Sequence, residues 1–313
     1  MNAKTPARAR FVYSPLYRCD IGTHVFPIEK YALLHDRLVR SGQVAEDDFL
    51  APAAATRAEL ELVHTPEYLD DLFAGRHTER TVRSEMRISH DIVAAFALGA
   101  GGTVLACRTA VRERTFAMNL AGGFHHAFAD WAEGFCYIND VALGVHILRA
   151  DGLVRRAMVV DCDLHQGNGT AELFRSEPEV FTFSIHEEAI YPIKRCSDLD
   201  IGLPSGCSGA HYLRDLERHL PPALDRHRPE FVLYVAGADP YRQDQLGSLQ
   251  LSMDDLKRRD ELVIGACAER GIPAAVVLAG GYAARVDDTV TIHYNTALTL
   301  LEHSRKAPAR PDA

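Results

Sequence analysis

Asp161, Asp163 and His165 occupy every second position of the run VVDCDLHQGNG. In an extended chain these three side chains share one face, while Cys162 and Leu164 point to the other. A carboxylate and an imidazole two residues apart can both reach one metal ion, with bonds of about 2.0–2.2 Å. Asp239, in the separate run GAD, can supply a third ligand. Two oxygens and one nitrogen, with a position left for water, make an open catalytic site rather than a closed structural one. Zn²⁺ is the natural occupant; Fe²⁺ and Co²⁺ are alternatives, because mixed N/O sites discriminate weakly. A lone strand-end Asp is more often a cap or turn former. An apolar strand such as AMVV, however, has no reason to end in this density of charge unless something binds there.

Metal-assisted hydrolysis also needs a base for the water and an acid for the leaving group. His125 and His126 follow a Gly-Gly turn. They could be a surface pair or a packed core residue, but their place after a buried-type strand favours at least one as general base. Such imidazoles need orienting partners; Asp161 is a candidate for one and Asn168 for the other. An imidazole backed by Asn lacks a carboxylate to raise its pKa, so it is expected to be the neutral base at pH 7. Tyr282, after Gly280 and Gly281, would in isolation be an ordinary packed aromatic. Aimed at the same rim, its hydroxyl can donate to the oxygen of a polarised carbonyl, and the two glycines let that loop approach closely.

Each of these groups follows a short apolar or β-branched run. Residues 115–120 lead into AGGFHH, 157–163 end in DCDLHQGNG, 231–236 end in GAD and 274–278 end in AGGY. Together with 180–186, these runs alternate with helical periodicity at 91–110, 141–149, 170–176, 212–227, 253–270 and 289–303. The alternation predicts an α/β fold with a parallel sheet and crossover helices. In such sheets ligands collect at the carboxyl ends of the strands. The N-terminal quarter reads as helix and loop, with helices at 31–41 and 65–73. No linker, repeat or composition shift divides the chain, so residues 1–313 read as one domain, with residues 1–9 and 305–313 as flexible tails. GAGG at 99–102 lies in helical periodicity and lacks the G-x-G-x-x-G pattern, which makes it a close-packing point.

The chain carries 34 Lys and Arg against 43 Asp and Glu, a formal charge of −9, which argues against direct nucleic-acid binding. With 47% apolar residues there is enough for a full core. Seven cysteines without CxxC spacing read as reduced thiols and a cytoplasmic protein. The basic start lacks the apolar region of a secretory signal, and no apolar run approaches the ~20 residues of a membrane span.

GGFHHA, EGFCYIND, VVDCDLHQGNGT, AGADPYRQDQLGSLQLS and LAGGY, in this order, resemble the zinc-dependent histone deacetylase superfamily; HVFPIEKY and VHTPEYLDDL extend the match into the N-terminal quarter. The HQGNG and GADPYRQDQLG variants are most similar to bacterial class IV-type lysine deacylases. The resemblance implies a single catalytic domain of arginase/deacetylase-like α/β fold. It implies one Zn²⁺ on Asp163, His165 and Asp239, water activated by the His125/His126 pair, Asp161 behind His125, and Tyr282 polarising the amide carbonyl. It also implies a tunnel for the acyl-lysine stem lined by Gly134 and Phe135, with Tyr191 opposite and Gly280 and Gly281 contributing. A structural K⁺ would be held by backbone oxygens of Asp161, Asp163 and His165 and by Ser184.

Many members have H-H-G-D-G where this chain has HQGNG, so the second dyad becomes His126–Asn168. The rim residue that binds the substrate backbone is expected within 84–91, with Asp91 as the candidate. The binuclear manganese relatives carry a second Asp where this chain has Tyr241, which points to one metal. Three functions follow. The first is a Zn²⁺-dependent amidohydrolase that removes acetyl or longer acyl groups from protein lysine. The second is an acetylpolyamine or small-amide deacetylase, whose cationic substrate the acidic surface would attract. The third is a catalytically silent acyl-lysine binding module, which a lost Tyr or ligand would signal; none is missing.

Overall fold

The computed structural model describes residues 9–306. Of the tails expected at 1–9 and 305–313, residues 1–8 and 307–313 lie outside the described residues. Ala9 is buried and the last helix runs on to Lys306, so the ends of both expected tails belong to ordered structure. In chain order the elements are β1 (Arg10–Val12), α1 (Lys30–Arg40), β2 (Phe49–Leu50), α2 (Arg57–Leu60), α3 (Pro66–Phe73), α4 (His90–Glu113), β3 (Phe116–Asn119), α5 (Asp140–Ala150), β4 (Ala157–Asp161), α6 (Asn168–Phe174), β5 (Val180–Glu187), β6 (Leu199–Leu203), α7 (Gly209–His227), β7 (Phe231–Val235), α8 (Met253–Arg270), β8 (Ala274–Val277) and α9 (Val286–Lys306).

The strands form one eight-stranded sheet in the order β2-β1-β3-β8-β7-β4-β5-β6, parallel at every pairing. The central strands FAMN, AMVVD, FVLYV and AAVV are buried at every residue. Parallel strands covered on both faces read as continuous apolar runs for this reason. α4 packs on β1, β3 and β8 and against α5; α1, α9, α8 and α7 pack on one another in a second group. Three short strands escape sequence reading. β1 and β2 have only three and two residues, and the edge strand β6, LDIGL, carries Asp and Gly that a strand reading rejects.

The four strands whose ends carry the candidate chemistry, β3, β8, β7 and β4, are four consecutive neighbours in the sheet. The groups from His125 to Tyr282 thus converge at one end of the sheet.

Among the described residues α4 is the one helix long and apolar enough to cross a membrane, but 78% of that stretch is buried inside the protein. Its glycines make close approach possible. A Cβ at Gly101 would collide with the Ala53 carbonyl, and one at Gly102 with the Tyr17 hydroxyl. Gly101→Ala is therefore expected to overpack this contact at a cost of about 1–3 kcal/mol, against the ~1 kcal/mol by which Ala is the better helix former. Thermal unfolding should show Tm lowered by a few degrees; an unchanged Tm would mean that the segment bearing Ala53 simply moves aside.

Candidate active site

The loop after β3 turns through Gly122 and Gly123, both at positive φ (82° and 83°), and delivers His125 and His126. It is held from α5. The buried Asp140 carboxylate accepts the Gly123 and Phe124 N–H groups at 3.0 and 2.6 Å and the Thr103 hydroxyl. Asn139 caps α5 through the Ala142 N–H and donates its own amide to the carbonyls of His125 and Ala127. The EGFCYIND motif thus positions the histidines as well as the tunnel wall, a role the sequence reading missed.

His125 Nδ1 lies 2.7 Å from Asp161 Oδ2, and His126 Nδ1 lies 2.8 Å from Asn168 Oδ1. The two Nε2 atoms face each other at 3.1 Å. Burial disfavours the His125 cation, but the Asp161 and Asp163 carboxylates outweigh it and raise its pKa to about 9. His126 is pushed well below its ordinary value, by burial first and by the charges of His125 and His165 next. The network therefore assigns His126 a neutral ring that donates from Nδ1 to Asn168 and keeps its Nε2 lone pair. Neutrality of the Asn-backed imidazole was expected from its missing carboxylate; burial is the larger cause.

Asp163, His165 and Asp239 are all buried, and one ligand atom from each lies within 4.8 Å of the others. His165 Nδ1 is 3.3 Å from both Asp163 Oδ1 and Asp239 Oδ2. The other carboxylate oxygens are occupied: Asp163 Oδ2 accepts the Gly280 N–H at 2.8 Å, and Asp239 Oδ1 accepts the Leu164 N–H at 2.9 Å. Asp239 Oδ2 is buried and accepts no hydrogen bond. Gly280 crosses so close that a Cβ there would strike the Asp239 carboxylate. Two buried acids facing one imidazole, with an oxygen lacking a donor, fit a divalent cation. Without one, burial and the Asp163 charge push Asp239 up to about 7. The buried Lys30 ammonium donates to the Ala279 carbonyl at the same loop; burial lowers its pKa to about 8.

Tyr282 is buried, and its backbone is clamped by Asp244, which accepts its N–H at 2.7 Å, and by Gln245, which donates to its carbonyl at 2.6 Å. A cavity of about 260 Å³ leads from the surface to Tyr282, His126 and His165, walled by Gly134, Phe135 and Tyr191. Tyr191 is 42% exposed and sets its ring edge-on to His126 at 5.5 Å. Gly280 lies in a smaller pocket beneath, beside Phe26 and Cys136. Gly281 does not line the cavity; a Cβ added there would meet Thr289 and Ala238.

Asp91, in the first turn of α4, does not line the cavity either. The rim acid is Glu85, exposed at positive φ (62°) and lining the cavity mouth with Leu246. Its left-handed backbone, rare for Glu, leaves no mark in the sequence. Ser184 stands beside Asp161 in the β4–β5 register, its hydroxyl 2.8 Å from His186 Nδ1. All seven cysteines are free thiols, and burial pushes those of Cys136 and Cys162 upward, away from nucleophilic use.

Residues 24–297 match the histone deacetylase domain family. An uncharacterised protein of Picosynechococcus is 40% identical over 285 residues, 90% of this chain and 95% of that protein. Histone deacetylase 2 of Arabidopsis thaliana is 32% identical over 270 residues, 83% of this chain and 70% of the relative. A histone deacetylase-like amidohydrolase of Pseudomonas aeruginosa is 32% identical over 173 residues, 50% of this chain and 45% of that protein. The crystal structure of the HDA15 HD domain superposes with a TM-score of 0.80 at 22% identity, covering 93% of this chain and 90% of that one, a likeness of fold.

Proposed function

The chain belongs to the histone deacetylase family, and from that premise we propose that it hydrolyses the side-chain amide of acylated lysine in polypeptides. The observation that carries this reading is the walled cavity, which ends on His126, His165 and Tyr282. A long unbranched stem can pass Phe135 and Tyr191 to place its amide there, while the polypeptide stays outside.

Asp163, His165 and Asp239 would hold Zn²⁺, which supplies Lewis acidity toward the amide carbonyl and water. Tyr282 donates to the carbonyl oxygen as it gains charge. The Nε2 of His126, which faces the Nε2–H of the His125 cation at 3.1 Å, takes the proton of the attacking water when that contact gives way to the water. His125, kept cationic by Asp161, can return a proton to the leaving amine. Phe135 and Tyr191 exclude solvent from the stem. For the potassium ion, the backbone oxygens of Asp161, Asp163 and His165 with Ser184 remain the proposed donors.

A second reading, acetylpolyamine hydrolysis, is favoured by the exposed Glu85 carboxylate at the mouth, which can pair with a second amine. One panel separates the two: acetyl-, longer acyl- and lactyl-lysine peptides beside acetylputrescine and acetylspermidine, each with and without chelator. Chelator-sensitive cleavage of the peptides is expected. Cleavage of polyamines alone would favour the second reading, and binding without cleavage would leave an acyl-lysine binding module.

The His126 assignment predicts a pH effect. A base held neutral well below its ordinary value stays competent through acid pH, so kcat/KM should hold its plateau below pH 6.5. Asn168→Asp places a carboxylate on Nδ1 and should raise the His126 pKa, moving the acid limb to higher pH. Glu133, which now accepts the Asn168 amide at 2.8 Å, is changed to Gln in the same variant to avoid apposed carboxylates. An unmoved acid limb would exclude His126 as the base.

A further inference from the structure

Arg259 on α8 is fully buried and takes no part in the chemistry above. Its Nη1 donates to two backbone carbonyls, Cys162 at 3.2 Å and Gly237. Its Nε and Nη2 donate to Asp260 Oδ1 at 3.0 and 2.8 Å. Asp260 is itself fixed by the Tyr234 hydroxyl at 2.6 Å and by the Thr296 hydroxyl. Every group in this network is buried.

The two carbonyls lie at particular places. Cys162 stands between Asp161 and Asp163 at the end of β4, and Gly237 stands two residues before Asp239 at the end of β7. One guanidinium therefore ties together the two strand ends that carry both carboxylate ligands. A further tie joins the same strand ends at the ligands themselves, through the Leu164 N–H on Asp239. There is no slack between the ties: a Cβ at Gly237 would meet the Asp163 Cα and the Asp239 Oδ1 at 2.7 Å. A shift of Gly237 is passed directly to both carboxylates.

A buried ion pair is weak evidence of a contribution to stability, since packed apolar side chains fill such space as well. Apolar side chains cannot, however, satisfy the two buried carbonyls: Cys162 also accepts the Tyr212 hydroxyl at 3.4 Å, but for Gly237 the donor is Arg259. Lysine cannot either, because one ammonium has no planar fork with which to serve both carbonyls and the carboxylate. We propose that Arg259, braced by Asp260, is a positioning residue for the metal centre, fixing β4 against β7 so that Asp163 and Asp239 meet one ion. Metal affinity then depends on a side chain that is not a ligand, as outer-shell partners of ligands do.

The inference rests on the metal reading of the site, so Zn²⁺ is first titrated into metal-free wild-type protein against a chromophoric chelator. Failure to bind one equivalent would count against that reading and leave the role of Arg259 to the fold. With wild-type binding established, Arg259→Lys and Arg259→Gln are expected to bind Zn²⁺ about 10–100-fold more weakly. Thr296→Val, which removes one brace on Asp260 without touching the Arg259–carbonyl bonds, serves as the control for loosened packing. It should lower Tm and keep Zn²⁺ affinity within about threefold. Wild-type affinity in either folded Arg259 variant would overturn the proposal. So would an equal loss in Thr296→Val, or failure of both Arg259 variants to fold, since each assigns Arg259 to general stability.

Discussion

Asp239→Ala is expected to leave a folded protein that retains no metal after dialysis and has no measurable turnover. Three residues of the centre could hold the metal, and of these Asp239 alone follows β7. Its Oδ2 is buried without a donor, so nothing else in the described site is arranged to take its place. Outer-shell losses alone cost about 10–100-fold in affinity or activity; loss of one of two carboxylate ligands should exceed that, by about 10³-fold or more in turnover. Removing the carboxylate also strips the Leu164 N–H of its acceptor. Asp239→Asn, which restores an oxygen for that N–H but not the charge, should recover stability and not activity. Metal analysis of wild-type protein should give one ion per chain. Stoichiometric metal in the alanine variant, or two ions in the wild type, would overturn the arrangement.

Tyr282→Phe should separate binding from chemistry. The variant is expected to keep its metal and a KM near that of wild type while kcat falls about 10²–10³-fold, the loss typical of one oxyanion donor. The substitution is clean because what places the ring is retained. Asp244 and Gln245 hold the backbone, and the ring packs near Phe135 and Phe26 at 5.8 and 6.2 Å. Burial, followed by the charges of Asp239 and Asp163, pushes the Tyr282 hydroxyl far above its ordinary pKa. In the metal-free site it therefore keeps the proton that it would donate. Wild-type kcat in the Phe variant would remove the assigned role.

Much of this site is legible in sequence because its parts obey local rules. A polar cluster after an apolar run marks the carboxyl end of a strand; the expected extended run through Asp161, Asp163 and His165, however, stops at Asp161, and bends in which the Asp161 and Asp163 carboxylates accept the Asp163 and His165 N–H groups bring the last two to the site. The α/β class follows from β4, β7 and β8, whose uninterrupted apolar residues need cover on both faces. What escaped depends on contacts between distant segments. Glu85 reaches the rim through a left-handed backbone that Phe135 meets by donating its N–H to the Ser84 carbonyl. Asp140 falls just before the helix expected at 141–149, and only the fold shows the histidine turn resting on it. Lys30 and Arg259 look like surface charges on amphipathic helices until the strand ends they hold are placed beside them. Gly281 failed for the opposite reason: its spacing beside Gly280 is local, but α9 claims it.

The position of β8 has a consequence for how the protein is made. This strand is the last of the eight in sequence, yet it lies between β3 and β7 near the middle of the sheet. Until it emerges during synthesis, β2-β1-β3 and β7-β4-β5-β6 share no hydrogen-bonded edge, and two half-sheets wait with open sides. The His125/His126 turn belongs to the first half, and Asp163, His165 and Asp239 to the second. A nascent chain can thus gather its metal ligands before it can bring them to the histidines, and hydrolytic competence arrives in one step with the insertion that closes the sheet. A ribosome-bound chain stalled before β8 should be an open, edge-exposed intermediate without catalytic power, and a client for chaperones that shield unpaired strands.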